Sequence, residues 1–175
     1  MQIHLSKISS LEGEHMQVAV PLEMDDITFQ AGSFPILSKE PLSLEIDNIG
    51  DKVLDLVGTG SITVGIPCDR CLEEVSTDIP LEIRRRLDMK LTEEDRVKDL
   101  DESSYLTGTD LDVDRMVYLE VIMNWPQKVL CREDCKGICS QCGKNLNSGS
   151  CGCDSGPKDP RMAAIRDIFS KFKEV

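Results

Sequence analysis

The sequence contains few of the residues from which enzymes usually build an active site. Its 175 residues include only two histidines, His4 and His15, and both lie near the start of the chain, where we expect them to be exposed or merely packed. A catalytic zinc site usually combines three protein ligands, often histidines, with one open position. Carboxylates are abundant, but none stands beside a recognisable nucleophile or a glycine-rich phosphate loop. We therefore expect a protein with no enzymatic activity and no small-molecule substrate.

Long apolar runs are also missing from the start of the chain. The first ten residues, MQIHLSKISS, contain no stretch long enough for a signal peptide or a membrane span. This predicts a cytoplasmic protein without a membrane partner. In a reducing compartment, clustered cysteines are more often metal ligands or redox groups than disulfides.

Positive charge is scarce in the first part of the chain. The net charge of −12 divides into −15 for residues 1–125 and +3 for residues 126–175. Such acidity argues against sequence-independent binding to nucleic-acid phosphates, which depends on lysine and arginine. It favours solubility and basic partners.

Aromatic residues number only seven, so the core must be aliphatic, and its pattern is that of strands. Apolar residues alternate with polar ones over residues 16–20, 42–46, 54–56 and 62–66, which is typical of half-buried strands. A further strand over 81–89 has Arg84 and Arg86 on its polar face, while Arg85 interrupts its apolar face. Short strands separated by glycine and aspartate turns predict an antiparallel, barrel-like sheet.

Three segments outside the sheet have their own signatures. The acidic stretch 92–110 predicts a mobile surface loop. Apolar residues at helical spacing predict a helix near 112–124, capped by Asp112 or Asp114 and packed on the sheet. Asp159 followed by Pro160 predicts the start of a final helix, which carries Arg161, Arg166 and Lys171. The predicted fold class is thus α+β.

Cysteine is the residue that the sequence has in excess. Six of the eight cysteines lie between 131 and 153, in CREDCKGICSQCGKNLNSGSCGC, and the other two form Cys68-Asp69-Arg70-Cys71 between two predicted strands. The later segment has too few aliphatic side chains to offset the cost of ordering its backbone, about 1–2 kcal/mol per residue. A Cys-x2-Cys-Gly turn aims two thiolates at one ion. The sequence therefore predicts a module organised by one or two Zn²⁺ ions.

Eight cysteines allow two sites of four ligands each. The preferred first site joins the early pair to the first late pair: Cys68, Cys71, Cys131 and Cys135. The second site is then local to the late segment: Cys139, Cys142, Cys151 and Cys153. A single site made by Cys68, Cys71, Cys139 and Cys142 is the alternative.

Redox chemistry is a weaker interpretation of the same cysteines. A thioredoxin-type Cys-x-x-Cys needs a helix to follow it, whereas the residues after Cys71 alternate like a strand. Arg70, between the paired cysteines, suits a phosphate or acidic partner, or equally a structural pairing with a nearby carboxylate or with the thiolate charge.

Several motifs together point to a family. They are Cys68-Asp69-Arg70-Cys71-Leu72, the run from Cys131 to Gly143, Asn145-Leu146-Asn147, Cys151-Gly-Cys153 and Asp159-Pro160-Arg161. On these residues the chain resembles the YceD-like large ribosomal RNA subunit accumulation proteins. The resemblance implies a non-enzymatic role in large ribosomal subunit assembly, with zinc as a scaffold. The implied partners are the pre-ribosomal large subunit, ribosomal RNA, or a basic ribosomal or assembly protein.

The interpretation from the residues agrees with this expectation and adds candidate contacts. We expect a β-rich domain over 1–125 and a zinc-binding module with a final helix over 126–175, packed together as one unit. Candidate RNA or partner contacts are Arg70, Arg84, Arg86, Arg161, Arg166 and Lys171. The alternatives are a zinc-stabilised protein adaptor unrelated to ribosomes and, less favoured, a cysteine redox enzyme.

Overall fold

The computed structural model of the chain describes residues 1–91, 95 and 104–153. Within these residues it contains nine strands and two helices. The strands are β1 (Gln2–His4), β2 (His15–Val20), β3 (Asp26–Phe29), β4 (Gly32–Lys39), β5 (Leu42–Asn48), β6 (Val53–Pro67), β7 (Glu74–Asp88), β8 (Leu106–Thr107) and β9 (Asp110–Asp112). The helices are α1 (Ser6–Ser10) and α2 (Val113–Met123).

Strand β6 organises the larger, six-stranded sheet. It pairs with β7 along its whole length on one side, and on the other side with β5 through its first half and with β4 through its second half. Strand β2 extends the sheet beyond β5, and β3 extends it beyond β4. All these pairings are antiparallel, and the sheet curves into a half-barrel, which confirms the predicted fold class.

The alternating apolar residues form the core, as their pattern predicts. The inward side chains of β5, β6 and β7 are almost completely buried, among them Leu42, Leu44, Ile46, Leu54, Leu56, Ile79, Leu81 and Ile83. Burying one such aliphatic side chain contributes about 1.5–3 kcal/mol. Gly58 lies on the same face, where an added Cβ would approach the Ile83 Cβ to 3.3 Å. This glycine therefore leaves room for the large residues of the neighbouring strands.

Helix α2 packs against this core through its predicted apolar face. Asp112 is the N-cap, because its Oδ1 accepts a hydrogen bond from the Arg115 backbone N–H at 3.0 Å. Arg85, which interrupts the apolar face of β7, donates to the buried carboxylate of Glu120 on α2 at 2.8 Å. Glu120 also accepts from Asn124 at 2.7 Å, so the paired charges are held by further hydrogen bonds. The arginine thus joins the sheet to the helix.

The predicted surface loop over 92–110 is wrong for residues 104–110. Tyr105 and Leu106 are buried there, and β8 and β9 form a three-stranded antiparallel sheet with β1. Strands of two or three residues are too short to produce a recognisable alternation. The partner of β9 is β1, at Gln2–His4, which lies too far away in the sequence for a local pattern to reveal the pairing.

Further predictions concern the two histidines, the final helix, the domain division and the absence of a membrane span. His4 and His15 are exposed, as expected. The predicted final helix, with Arg161, Arg166 and Lys171, lies outside the described residues, and the division at residue 125 stays a prediction. Neither helix in the described part of the chain is long and apolar enough to cross a membrane.

Candidate metal centre

The connection between β6 and β7 places the first two cysteines. The Cys68 N–H donates to the Glu73 carbonyl at 2.8 Å, and the Leu72 N–H donates to the Cys68 carbonyl at 2.9 Å. Leu72 has a positive φ of 64°, which closes the turn. Both Cys68 and Cys71 are buried within it, so the two thiols are fixed by the longest hairpin of the sheet.

Side chains of the same turn hold the returning chain. Asp69 and Val129 form a reciprocal pair: the Asp69 N–H donates to the Val129 carbonyl at 2.9 Å, and Asp69 Oδ2 accepts from the Val129 N–H at 2.8 Å. The Arg70 guanidinium donates to the carbonyls of Cys135 at 2.8 Å and Glu133 at 3.3 Å. The guanidinium therefore binds backbone carbonyls, a structural role different from the carboxylate or thiolate pairing considered for it.

A glycine allows the closest approach between turn and returning chain. The Ile138 N–H donates to the Arg70 carbonyl at 3.1 Å. Gly137, immediately before it, has a φ of +75°, and a Cβ there would lie 3.0 Å from that same carbonyl oxygen. A residue with a side chain would therefore be strained and would push the segment away from the turn.

Docking of the segment assembles a first group of four thiols, called cluster I: Cys68, Cys71, Cys131 and Cys135. Their sulfur atoms all lie within 4.8 Å of one another. The Cys68–Cys135 pair is separated by 3.9 Å and the Cys71–Cys131 pair by 3.6 Å. Four sulfurs at tetrahedral positions, each about 2.3 Å from Zn²⁺, are about 3.8 Å apart. The geometry of cluster I therefore fits a tetrahedral zinc ion without rearrangement of the fold.

The remaining cysteines form a second group, called cluster II: Cys139, Cys142, Cys151 and Cys153. It is local to one loop. The Gly143 N–H donates to the Cys139 carbonyl and the Cys139 N–H to the Lys144 carbonyl, both at 2.9 Å, which makes the tight turn expected for Cys-x2-Cys-Gly. The four sulfurs again lie within 4.8 Å of one another. The cysteines are thus grouped as in the preferred partition.

Hydrogen bonds favour a thiolate in each cluster. Burial disfavours ionisation of Cys68, but the backbone N–H of Cys131 on the returning segment, together with those of Arg70 and Cys71, outweighs it and lowers the pKa of its thiol to about 6. Backbone N–H groups of Cys142 and Gln141 lower the pKa of Cys139 to about 6. The hydrogen bond from Asn147 Nδ2 to Cys135 Sγ, 3.2 Å long, lowers the pKa of Cys135. Each cluster therefore presents ionised sulfur to a cation near neutral pH.

Other thiols of the clusters hold their protons more firmly. Burial raises the pKa of Cys131, and the thiol of Cys142 together with burial raises the pKa of Cys153 to about 12. A metal that binds all four sulfurs must displace these protons, so binding releases protons. Four thiolates suit soft or borderline ions, and a tetrahedral set of four is typical of structural zinc, because no position stays open for substrate.

The clusters differ in accessibility. In cluster I, only Cys131 is exposed and the other three thiols are buried. In cluster II, Cys142 is exposed and Cys151 and Cys153 are half-buried. Cluster I also connects the sheet to residues far along the chain, whereas cluster II closes a single loop. Cluster I therefore links two parts of the molecule, whereas cluster II is a cross-link within one loop.

Of the candidate basic contacts that the structure describes, Arg70 lies at cluster I, whereas Arg84 and Arg86 lie far from both clusters. Arg84 and Arg86 lie on the exposed face of β7, about 33 and 40 Å along the strand from Glu74, where the strand leaves the cysteine turn. Arg86 pairs there with Asp55 on β6 at 3.3 Å. Their role in binding RNA or a partner stays a prediction.

Three polar residues that support cluster I were missed by sequence reasoning. Asp69 binds Val129, Asn145 donates to Glu73 at 2.8 Å, and Asn147 binds both the Cys135 thiol and the Lys136 N–H. Their sequence signal was that all three stand in the motifs that carry the family resemblance, beside or between the cysteines.

A curved antiparallel sheet that holds a cysteine-rich segment through its longest hairpin defines the class of this protein. The family model described as "Large ribosomal RNA subunit accumulation protein YceD" matches residues 56–169, nearly two thirds of the chain and all eight cysteines, so this chain belongs to that family. The resemblance stated from the motifs is confirmed.

Relatives with curated sequences add little about activity. Uncharacterized proteins of Mycobacterium bovis and of two Mycobacterium tuberculosis strains are each 27% identical over 128 residues, which is 73% of this chain and 61% of theirs. The alignment thus spans about three fifths of the length of these relatives. No solved structure matches the chain.

Proposed function

We propose that this protein is a non-enzymatic factor that supports assembly of the large ribosomal subunit and accumulation of its RNA, acting in the cytoplasm. The observation that carries the proposal is the family match over residues 56–169, since that range includes the hairpin and both cysteine clusters. The partner is the pre-ribosomal large subunit, through ribosomal RNA or a basic ribosomal or assembly protein.

Two zinc ions give the module its shape in this proposal. Support comes from the four-sulfur composition of each cluster and from the sulfur separations in cluster I. Because all four positions are taken by protein sulfur, the ions stabilise structure and leave no site for a substrate. Elemental analysis of protein purified without chelator should give about two zinc ions per chain. A value near zero, with titratable free thiols or disulfides, would instead favour the redox alternative.

The functional test is depletion of the protein in its native host. Loss of the protein should lower the ratio of large-subunit to small-subunit ribosomal RNA and of free large to free small subunits in sucrose gradients. The wild-type gene should restore both ratios. Unchanged ratios after verified depletion would contradict the proposal and favour the adaptor unrelated to ribosomes, as would co-purification of partners that contain neither ribosomal proteins nor precursor RNA.

Contact with RNA has a separate test. Reversing charge by Arg161→Glu, Arg166→Glu and Lys171→Glu in one variant, and by Arg84→Glu and Arg86→Glu in another, should weaken co-sedimentation with precursor particles. A matched control is Lys7→Glu with Lys39→Glu, which changes charge elsewhere on the chain. Unchanged co-sedimentation of both arginine variants would leave the acidic surface as the site that binds a basic protein.

A further inference from the structure

Strand β7 is an unusually long edge of the sheet. Its fifteen residues, Glu74–Asp88, pair with β6 on one side, and no strand in the described part of the chain pairs with the other side. Most strands are three to ten residues long. At about 3.3 Å per residue, this edge extends for about 50 Å. An open edge of this length presents unpaired backbone groups to other chains.

Hydrogen bonds at both ends of the hairpin show which backbone groups face outward. The Cys68 N–H donates to the Glu73 carbonyl at one end, and the Met89 N–H donates to the Lys52 carbonyl at the other. The fifteen pairs between them continue in one register. Odd-numbered residues of β7 therefore bond to β6, and even-numbered residues point their N–H and C=O groups away from the sheet.

The outward edge has two parts, one on each side of Pro80, and they differ in how many of their backbone groups are open. Pro80 has an even number, so the N–H that proline lacks is one that would have pointed outward. Beyond it, the Arg85 guanidinium donates to the outward carbonyl of Arg84 at 2.9 Å, which closes part of the second half. The first half, from Glu74 to Asp78, has no such cover: the outward backbone groups of Glu74, Ser76 and Asp78 have no partner among the described residues.

The side chains of this first half have one sign of charge. Glu74, Ser76 and Asp78 are all exposed, and Glu82 follows on the same face. Asp78 accepts a hydrogen bond from the Thr63 hydroxyl at 2.7 Å, and no basic side chain lies between Glu74 and Glu82. Opposite charges directly across a strand pair stabilise pairing, and like charges oppose it. An added strand should therefore carry lysine or arginine on this face.

The opposite face of the same half selects a different kind of residue. Val75 and Thr77 are half-buried, and Val75 packs against cluster I. The alternate side chains of an added strand would lie beside them and should be small or β-branched. We infer that the edge from Glu74 to Asp78 binds an extended segment of a partner protein, with basic residues alternating with aliphatic ones, by addition of a strand to the sheet. The inference rests on the proposed function and deepens it, because it names the strand edge and the kind of segment by which a basic partner protein would be bound.

The test uses the full zinc-loaded chain, labelled with ¹⁵N, and a synthetic heptapeptide that alternates lysine and valine. Binding should shift the amide resonances of Ser76 and Asp78 and slow their exchange with solvent. Ser76→Pro should weaken binding about tenfold, because it removes one outward donor and blocks the approach of its neighbours. The β6 ladder should stay intact, since Pro80 already occupies an equivalent outward position. Glu74→Lys should also weaken binding, whereas Glu45→Lys, on a strand paired at both edges, should not.

A second measurement leaves the protein unchanged. N-methylation of one alternate set of peptide amides should abolish binding, while methylation of the other set should have little effect, because only one set faces β7. Equal effects of the two peptides, or binding insensitive to Ser76→Pro, would replace strand addition with plain attraction between charges and overturn the inference. Absence of binding would overturn it too, and so would a wild-type dimer that Ser76→Pro converts to a monomer, since the occupant would then be a second copy.

Discussion

The sheet and the cysteine-rich segment are stabilised by different interactions. The sheet buries a continuous set of aliphatic side chains from β5, β6 and β7. Between residues 131 and 153, Cys135 is the one buried side chain, and Ile138 remains 39% exposed. Ordering the backbone costs about 1–2 kcal/mol per residue in either region. The cysteine-rich segment therefore depends on hydrogen bonds to the hairpin and, in our proposal, on metal ligation for its order.

Removing the metal should produce the largest difference in stability between the two regions. Structural zinc sites supply apparent binding free energies of about 10–16 kcal/mol at neutral pH. Treatment with a strong chelator should therefore abolish hydrogen-exchange protection over residues 131–153 and leave β5, β6 and β7 protected. Mass spectrometry of exchanged peptides gives both values in one experiment. If chelation changed neither region, metal would not be what orders the cysteine-rich segment. If chelation unfolded both regions together, they would not be stabilised independently.

A core substitution should have the opposite effect. Leu44 is completely buried, and Leu44→Ala should lower the free energy of unfolding of the sheet by about 2–5 kcal/mol. Leu37, also on the sheet, is 45% exposed, so Leu37→Ala is the matched control. Urea unfolding monitored by circular dichroism measures the difference.

Measuring zinc release during urea unfolding would show which cluster depends on the sheet. Unfolding of the sheet separates Cys68 and Cys71 from the returning segment, so cluster I should release its ion with the sheet transition. Cluster II is closed within one loop and should hold its ion to higher urea. A chromophoric chelator would detect two steps. One step at the sheet transition would show that cluster II also depends on the sheet.

The interface between the regions should respond to a single methyl group. Gly137→Ala places a Cβ 3.0 Å from the Arg70 carbonyl at a positive φ, and the strain should weaken docking by about 1–3 kcal/mol. Gly143→Ala is the matched control, because Gly143 has a φ of +72° but nothing within 4 Å of an added Cβ. Exchange protection of Ile138 should fall in the first variant and much less in the second. Equal losses would mean that backbone conformation, and not contact with Arg70, dominates.

The sequence predicted different features of the sheet and of the cysteine-rich segment, and for different reasons. Alternation located the strands because one face of the sheet is buried and the other exposed, so Leu42, Leu44 and Ile46 had to recur at period two. Arg85 broke that pattern, and its partner Glu120 was out of reach of any local rule, because the pair joins a strand to a helix thirty-five residues later. The buried Tyr105 was missed because the small sheet beside it also depends on a strand, β1, that is distant in sequence.

In the cysteine-rich segment, spacing predicted metal-ligating cysteines and a preferred partition of them, but left a single-site alternative open. The turn Cys139-x2-Cys142-Gly143 is local, and its geometry follows from its own residues. Cluster I depends on where the chain returns to the hairpin, which is set by hydrogen bonds of Asp69 and Arg70 to backbone groups. Polar contacts of this kind leave no periodic trace in a sequence, so the sequence could prefer this grouping but could not decide between it and the single-site alternative.

The smallest predicted difference between the two regions is in their response to acid. Asp26, on β3, accepts hydrogen bonds from the Ser33 and Thr28 hydroxyls at 2.7 and 2.8 Å, and these lower the pKa of its carboxyl from 3.8. A lowered folded-state pKa stabilises the fold above the unfolded-state pKa, and that stability is lost as pH falls through the folded-state pKa. Asp26→Asn should therefore remove a small dependence on pH that appears below pH 3.8.

Trp125 gives a signal from this part of the sheet alone, because its ring lies 4.8 Å from Phe29 and 4.9 Å from Phe34, on the same hairpin as Asp26. Protons compete with zinc for thiolates, so in acid the cysteine-rich segment should lose its metal whether or not Asp26 is present. Urea unfolding monitored by tryptophan fluorescence should give wild-type and Asp26→Asn curves whose separation is constant above pH 5 or so and shrinks below pH 3.8. A separation that stayed constant into acid would show that the Asp26 carboxylate contributes nothing specific to the hairpin, and that the sheet's response to acid has another origin.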